Sequence, residues 1–134
     1  MNTLKIKTLL SGPRNLLLAI YMKSDGASGE FVNEVLVDPV DYGLPAKSRL
    51  RLVRMEYSFA GFDAVLEYGS GGVEPNWKWV MSETANHPVD FQSYGNLIDD
   101  SGMDGTGLLT ISTTGFTSST DQGSILLGLR KPSP

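Results

Sequence analysis

The chain contains no cysteine and only one histidine, His87, among its 134 residues. Without cysteine it cannot form disulfides, thiolate nucleophiles or zinc sites with sulfur ligands. A single imidazole also excludes metal sites that are built from several histidines. These absences remove the commonest metal and redox chemistry of small proteins from consideration.

Charged residues are scarce as well, at 19% of the chain against about 25% in a typical soluble protein. Lys and Arg number 11 and Asp and Glu 15, which gives a net charge of −4. No Lys or Arg occurs between Lys78 and Arg130, and the acidic residues of that stretch are Glu83, Asp90, Asp99, Asp100, Asp104 and Asp121. Nucleic-acid-binding domains usually show the opposite sign, so we expect no nucleic-acid partner.

Long hydrophobic runs are also missing, since no apolar stretch approaches the roughly 20 residues that a membrane-spanning helix needs. The first residues, Met1 to Lys5, resemble no signal peptide, because they lack a long apolar region and a small-residue cleavage site. We therefore expect a soluble protein that is made in the cytoplasm and has no membrane partner.

The sequence does contain many turn residues, 15 Gly and 7 Pro, and these separate apolar runs that alternate with a period of two. This pattern is typical of strands. It predicts an all-β, two-sheet sandwich of about eight strands, organised as a single domain over residues 1–134. Both jelly-roll and immunoglobulin-like arrangements are compatible, and the long connections favour a jelly roll. We expect an extended N-terminal arm (1–10) and a short Pro-rich C-terminal tail (132–134).

Several local features refine this prediction. The residues from 15 to 23 are almost continuously apolar, as in a strand that is covered on both faces. In the strand predicted from Ser48 to Phe59, the alternation of apolar residues changes face near Leu52, which indicates a bulge or a strand that crosses a corner of the sandwich. Residues 30–37 alternate so that Val35 and Val37 share one face. An edge strand or helical turn is expected near 89–94 in the otherwise irregular segment 82–106.

No arrangement of residues points to catalysis. His87 lies three residues before Asp90, but the chain has no Gly-x-Ser-x-Gly sequence, and a proline follows the histidine directly. A structural or surface histidine is the better interpretation. We predict that the chain is not an enzyme and has no cofactor.

A weak metal candidate lies in the acidic segment that holds Asp99, Asp100 and Asp104. An EF-hand register fails, because Gly102 and Ile111 stand where ligands are required. A looser Ca²⁺ site remains open, although an acidic turn is the better interpretation.

Aromatic residues offer a further binding possibility. Trp77 and Trp79, with Tyr94, would suit a carbohydrate-binding β-sandwich module. Core packing is the better interpretation for the two tryptophans. Phe91 and Tyr94 lie in the irregular segment and are therefore better candidates for an interface.

Five short stretches together resemble the small virion proteins of tailed bacteriophages, in particular capsid decoration (cement) proteins. These stretches are Phe62–Tyr68, Tyr94–Leu97, Asp104–Gly107, Leu109–Thr114 and Leu127–Lys131. The resemblance implies a jelly-roll or related sandwich that binds the outer surface of a capsid lattice and stabilises it, often as a trimer. It also implies a location in the virion after assembly in the host cytoplasm. The major capsid protein and further copies of this chain would then be the partners.

Two other functions stay open. One is another part of a phage particle, such as a head–tail joining, tail or head-fibre base protein, and the other is the carbohydrate-binding module. For a capsid contact, we expect the interface to include residues of the N-terminal arm, of the only basic cluster and of the irregular segment. These interface candidates are Leu4, Lys5, Ile6, Arg49, Arg51, Arg54, Phe91 and Tyr94.

Overall fold

The computed structural model describes residues 1–69, 77–82, 88–91 and 107–132, with the backbone alone for Trp77, Lys78 and Val89. In this part of the chain there are nine strands and one short 3-10 turn, Pro39–Tyr42. The strands are β1 (Thr3–Ser11), β2 (Asn15–Lys23), β3 (Glu34–Val37), β4 (Arg51–Ala60), β5 (Asp63–Tyr68), β6 (Trp77–Met81), β7 (Val89–Asp90), β8 (Leu109–Thr114) and β9 (Gln122–Arg130).

The strands form two antiparallel sheets that pack face to face. One sheet has the order β1-β2-β9-β4-β7 and the other has the order β3-β8-β5-β6. The pairs β2·β9, β3·β8, β4·β7 and β5·β6 are nested, as if one long hairpin had been folded over on itself. This is the jelly-roll arrangement of eight strands, and β1 adds a ninth at one edge. The predicted all-β sandwich is confirmed.

The core lies between the two sheets and follows the predicted alternation. In β2, every second residue from Leu16 to Met22 is at most 1% exposed. Burying one such side chain stabilises the fold by about 1.5–3 kcal/mol. The neighbouring strand β9 supplies Ile125, Leu127 and Leu129 to the same layer. The inner faces of these central strands therefore fix the register of the five-stranded sheet.

The predicted bulge in β4 is confirmed. The pairing of β4 with β9 shifts register between Leu52 and Arg54, and the apolar parity changes at this point. The extra residue, Val53, accepts a hydrogen bond through its carbonyl from the amide of Phe91 at 2.8 Å. The bulge thus holds the end of β7, which is the edge strand expected near residue 89.

The predicted N-terminal arm is instead an integral edge strand. Residues Thr3 to Ser11 pair with β2 along their length, with an irregularity at Leu9. Pairing satisfies the backbone of β1 on one side, whereas a free arm would leave both sides to solvent. Deleting these residues would therefore remove a strand from the sheet.

The prediction for residues 30–37 is wrong in detail. The strand begins only at Glu34, Val35 is 42% exposed, and Leu36 and Val37 are both buried. The pairing of β3 with β8 shifts between Val35 and Val37. That shift turns two successive residues toward the core, which strict alternation cannot anticipate.

One end of the sandwich is organised by the carboxylate of Asp121, which is 5% exposed. It accepts hydrogen bonds from the amides of Thr117 at 3.1 Å and Ser118 at 2.9 Å. Gly61 lies against this carboxylate with φ +90°, and a Cβ atom there would overlap it. Only glycine suits this position, because of both the backbone angle and the contact.

Replacing Gly61 with alanine tests this packing. Gly43→Ala is the matched control, since Gly43 has φ +79° but open space around it. We expect Gly43→Ala to cost about 1–2 kcal/mol of unfolding free energy from backbone strain alone. Gly61→Ala should cost at least about 1 kcal/mol more, because the buried carboxylate loses a good hydrogen-bonding geometry. Urea unfolding followed by circular dichroism measures both values, and equal losses would contradict this account.

Candidate functional site

In the described part of the chain, a groove lies on the outer face of the five-stranded sheet. Its volume is about 700 Å³, which lies within the range of about 300–1,000 Å³ typical of ligand sites. Its outer-face lining consists of Lys5, Lys7, Ala19, Tyr21, Glu56, Ser58, Pro88, Ser124 and Leu126.

Strand register explains why the groove runs across the strands. In one row, Lys5 pairs with Tyr21, Tyr21 with Ser124, and Ser124 with Ser58. Four strands at about 4.8 Å spacing give this row a length of roughly 14 Å. Tyr21 and Ser124 lie at its centre and form the floor.

A second row lies beside the first and is more apolar. Lys7 pairs with Ala19, Ala19 with Leu126, and Leu126 with Glu56. Lysines of β1 thus form one wall in both rows, and Pro88 borders the opposite side. The groove has an apolar floor between a cationic wall and a wall with one carboxylate.

The open groove corrects the prediction that residues 15–23 are covered on both faces. The inner face of β2 is fully buried, but Leu17 and Ala19 are only partly covered and Tyr21 is 39% exposed. The apolar sequence of β2 therefore supplies both the core and the floor of an open surface.

The polar groups in the groove are largely free for a ligand. The side chains of Lys5, Lys7, Tyr21, Ser58 and Ser124 make no hydrogen bond or ion pair within the described part of the chain. Five side chains thus present unused donors to one concavity.

The carboxylate of the groove is the exception. Glu56 is held by Arg54, with Nη2 and Oε1 2.6 Å apart. The aliphatic stem of Arg54 lies over Gly128, where a Cβ atom would stand 2.9 Å from its Cγ. This glycine leaves room for the arginine to reach the wall of the groove.

The outer face that carries the groove is basic. Among the described residues, strand alternation places six cationic and two acidic residues on it, namely Lys5, Lys7, Lys23, Arg51, Arg54 and Arg130 with Glu56 and Asp90. The outer face of the other sheet carries Asp63 and Glu67 on β5. A chain with net charge −4 therefore presents a locally positive surface.

The structure brings only some of the predicted interface residues to this surface. Lys5 lines the groove, and Arg51 and Arg54 lie beside it on the same face. Arg49 precedes β4 and is half-buried. The basic cluster proposed from the sequence is therefore divided between the outer face and the end of the sheet.

The two apolar candidates on β1 differ in their surroundings. Leu4 packs against the core from the edge of the sheet. Ile6 points to the same side of β1 and is 39% exposed. Only Ile6 offers apolar surface to a partner.

Phe91 was wrongly predicted as an interface residue. It is 2% exposed and packs edge-on against Trp79, with ring centroids 5.2 Å apart. Trp79 is half-buried, and its indole Nε1 has no hydrogen-bond acceptor among the described residues. These two rings belong to the core, as the core-packing interpretation for Trp79 predicted.

Other predicted site residues lie outside the described residues. These are the side chain of Trp77, and His87, Tyr94, Asp99, Asp100 and Asp104 in full. In the part of the chain that is described, no group of three or more His, Cys, Asp or Glu residues could hold a metal ion. The same residues include no helix long and apolar enough to cross a membrane.

Sequence reasoning missed Lys7, Tyr21, Ser58, Ser124 and Leu126. The sequence offered one indication. Tyr21 is the one aromatic residue among the residues of β2 that alternate with its buried side chains. Which residues of other strands lie beside it depends on the order of the sheet, which local patterning does not contain.

One carboxyl group has a strongly perturbed pKa, but its cause is structural. The amino group of Met1 and the hydroxyl and amide of Ser28, with the amide of Ala27, hold the pKa of Asp25 well below its usual range. These contacts shape the loop after β2. The shift therefore marks a turn and gives no indication of catalysis.

No family model, curated protein or solved structure matches this chain. Its function must therefore be argued from the groove, the sheet edges and the surface charges.

The groove residues should be dispensable for folding. We expect Tyr21→Ala to lower the unfolding free energy by less than about 1 kcal/mol, since its ring lies outside the core. The neighbouring Ile20→Ala should cost about 2–5 kcal/mol, because Ile20 is 1% exposed. Chemical denaturation of both variants measures the difference. A loss of several kcal/mol for Tyr21→Ala would show that its ring serves the fold.

Proposed function

We propose that this chain is a structural protein of a bacteriophage virion that binds the outer surface of the capsid lattice and stabilises it. The major capsid protein is the proposed partner, together with further copies of the chain, in a trimer as the resemblance implies. The observation that carries the proposal is the outer edge of β1, which ends in two exposed leucines. Leu9 and Leu10 are 47% and 53% exposed.

An edge strand can extend a sheet across a protein interface. No strand of the described residues pairs with the outer side of β1, so its backbone groups there are available to a partner strand. Lysines on an edge strand oppose such pairing, and Lys5 and Lys7 lie in the first half of β1. The second half carries no lysine and ends in two exposed leucines, and it is therefore the proposed contact.

The jelly roll supports this function without selecting it. The same architecture serves viral capsid proteins and lectins, and a fold alone does not imply a function. The resemblance of the five short stretches to decoration proteins favours the capsid. On a symmetric lattice a small apolar contact is repeated many times, so individually weak contacts are sufficient.

Substituting Leu10 tests the proposed contact. Leu10→Lys introduces a charge where a partner strand would bury an apolar side chain, and Val40→Lys is the control because Val40 is also 53% exposed. After co-expression with the major capsid protein encoded nearest to this gene, heads are sedimented and the bound chain is quantified. We expect the wild type and Val40→Lys to bind. Leu10→Lys should show an apparent affinity at least about tenfold lower, which corresponds to about 1.4 kcal/mol.

Two outcomes would contradict the proposal in different ways. If the wild-type chain does not sediment with heads, the capsid function is wrong. If Leu10→Lys binds as well as Val40→Lys, the capsid contact lies elsewhere than the edge of β1. Circular dichroism of each variant, together with its urea midpoint, verifies that the fold is retained.

A further inference from the structure

We propose that the groove on the outer face binds an anionic saccharide, a function beyond capsid attachment. The site is formed by Lys5 and Lys7 on β1, Tyr21 on β2, Ser124 on β9 and Ser58 on β4. It uses none of the exposed leucines of β1. Leu10 pairs with Leu17 and so lies on the same outer face, beyond Lys7. The two proposed functions therefore use different residues of β1.

The groove combines ammonium groups, which only donate hydrogen bonds, with hydroxyls, which both donate and accept. Two ammonium groups and three hydroxyls face the concavity without partners among the described residues. Its carboxylate, on Glu56, is already paired with Arg54 at 2.6 Å. Lysine has no acceptor function, so the best ligand is one rich in acceptors and negatively charged. A saccharide that carries carboxylates has this composition.

The floor of the groove suits the other property of a sugar ring, its apolar C–H face. The ring of Tyr21 is 39% exposed and lies beside Ala19 and Leu126. Aromatic side chains with a polar end provide apolar contact area and a hydrogen bond from one residue. In each row, a sugar ring can lie on this floor while its carboxylate reaches the lysine wall.

The direction of the groove argues against a peptide strand. A peptide that binds by strand addition runs along a sheet edge and pairs its backbone with that edge. This groove instead crosses four strands over roughly 14 Å. A peptide lying in it could not pair its backbone with the edge of a strand.

The charge of the surrounding surface supports the same ligand. In the part of the chain that the structure describes, the face carries six cationic and two acidic residues, although the whole chain has net charge −4. Such a local positive field attracts polyanions and makes their association rate salt-dependent. A neutral sugar would gain nothing from it.

The experiment uses the full chain, labelled with ¹⁵N, and three probes, namely oligomers of galacturonate, mannuronate and sialic acid. Carboxyl-reduced oligomers of the first two serve as neutral controls. We expect at least one acidic oligomer to bind, with amide shift changes concentrated in β1, β2, β9 and β4. The reduced counterparts should bind at least about tenfold more weakly.

Variants then assign the binding to the groove. Lys5→Gln combined with Lys7→Gln should lower the affinity at least about tenfold, and Tyr21→Ala should do the same. Ser124→Trp should block binding by filling the floor while leaving every charge in place. Lys47→Gln is the control, because Lys47 is an exposed lysine of the loop before β4, and it should bind as the wild type does.

Several results would overturn the inference. They are the absence of binding to all three acidic oligomers, equal binding of the neutral counterparts, or unchanged affinity in the lysine and tyrosine variants. Binding of a hexaglutamate peptide with no saccharide binding would identify an acidic peptide as the ligand instead. Leu10→Lys should retain saccharide binding, so a failure of capsid attachment is distinguishable from a failure of this site.

Discussion

The structure depends on the pairing of β2 with β9. Nine residues of each strand pair without a bulge, from Asn15 opposite Arg130 to Lys23 opposite Gln122. Backbone bonds beyond both ends extend the pairing, from Lys131 to the Arg14 carbonyl at 2.6 Å and from Ser24 to that of Asp121 at 3.0 Å. The other nested pairs of the jelly roll are formed by strands β3 to β8, which lie between β2 and β9 in the chain. Such long-range pairing is intrinsically slow to form.

The same register also creates the groove. A shift of one residue would turn the inner apolar row of β2 outward and bring Tyr21 into the core. Burial of Leu16, Leu18, Ile20 and Met22 forbids that shift and thereby fixes the outer positions as well. The core thus supplies the rigidity that a preorganised ligand surface requires. The outer residues can vary with little effect on stability, which leaves them available for function.

The local sequence indicated the sandwich, the bulge at Leu52 and the short edge strand at β7. Each of these follows from the alternation of apolar and polar residues or from an interruption of that alternation. It did not predict the groove, since Lys5, Tyr21 and Ser124 are neighbours only through the order β1-β2-β9. Phe91 was misplaced for a related reason. An irregular segment suggested exposure, whereas the amide of Phe91 bonds the bulge of β4 and its ring enters the core.

Strand β1 connects the two proposed surfaces. Its side chains Lys5 and Lys7 form a wall of the groove, and its outer edge ends at Leu9 and Leu10. A partner strand added to that edge would widen the outer face by about 4.8 Å. Because the proposed contact is the second half of β1, Lys5 and Lys7 would stay at the margin of the sheet and keep facing the groove. Attachment through the edge at Leu9 and Leu10 therefore leaves the groove open.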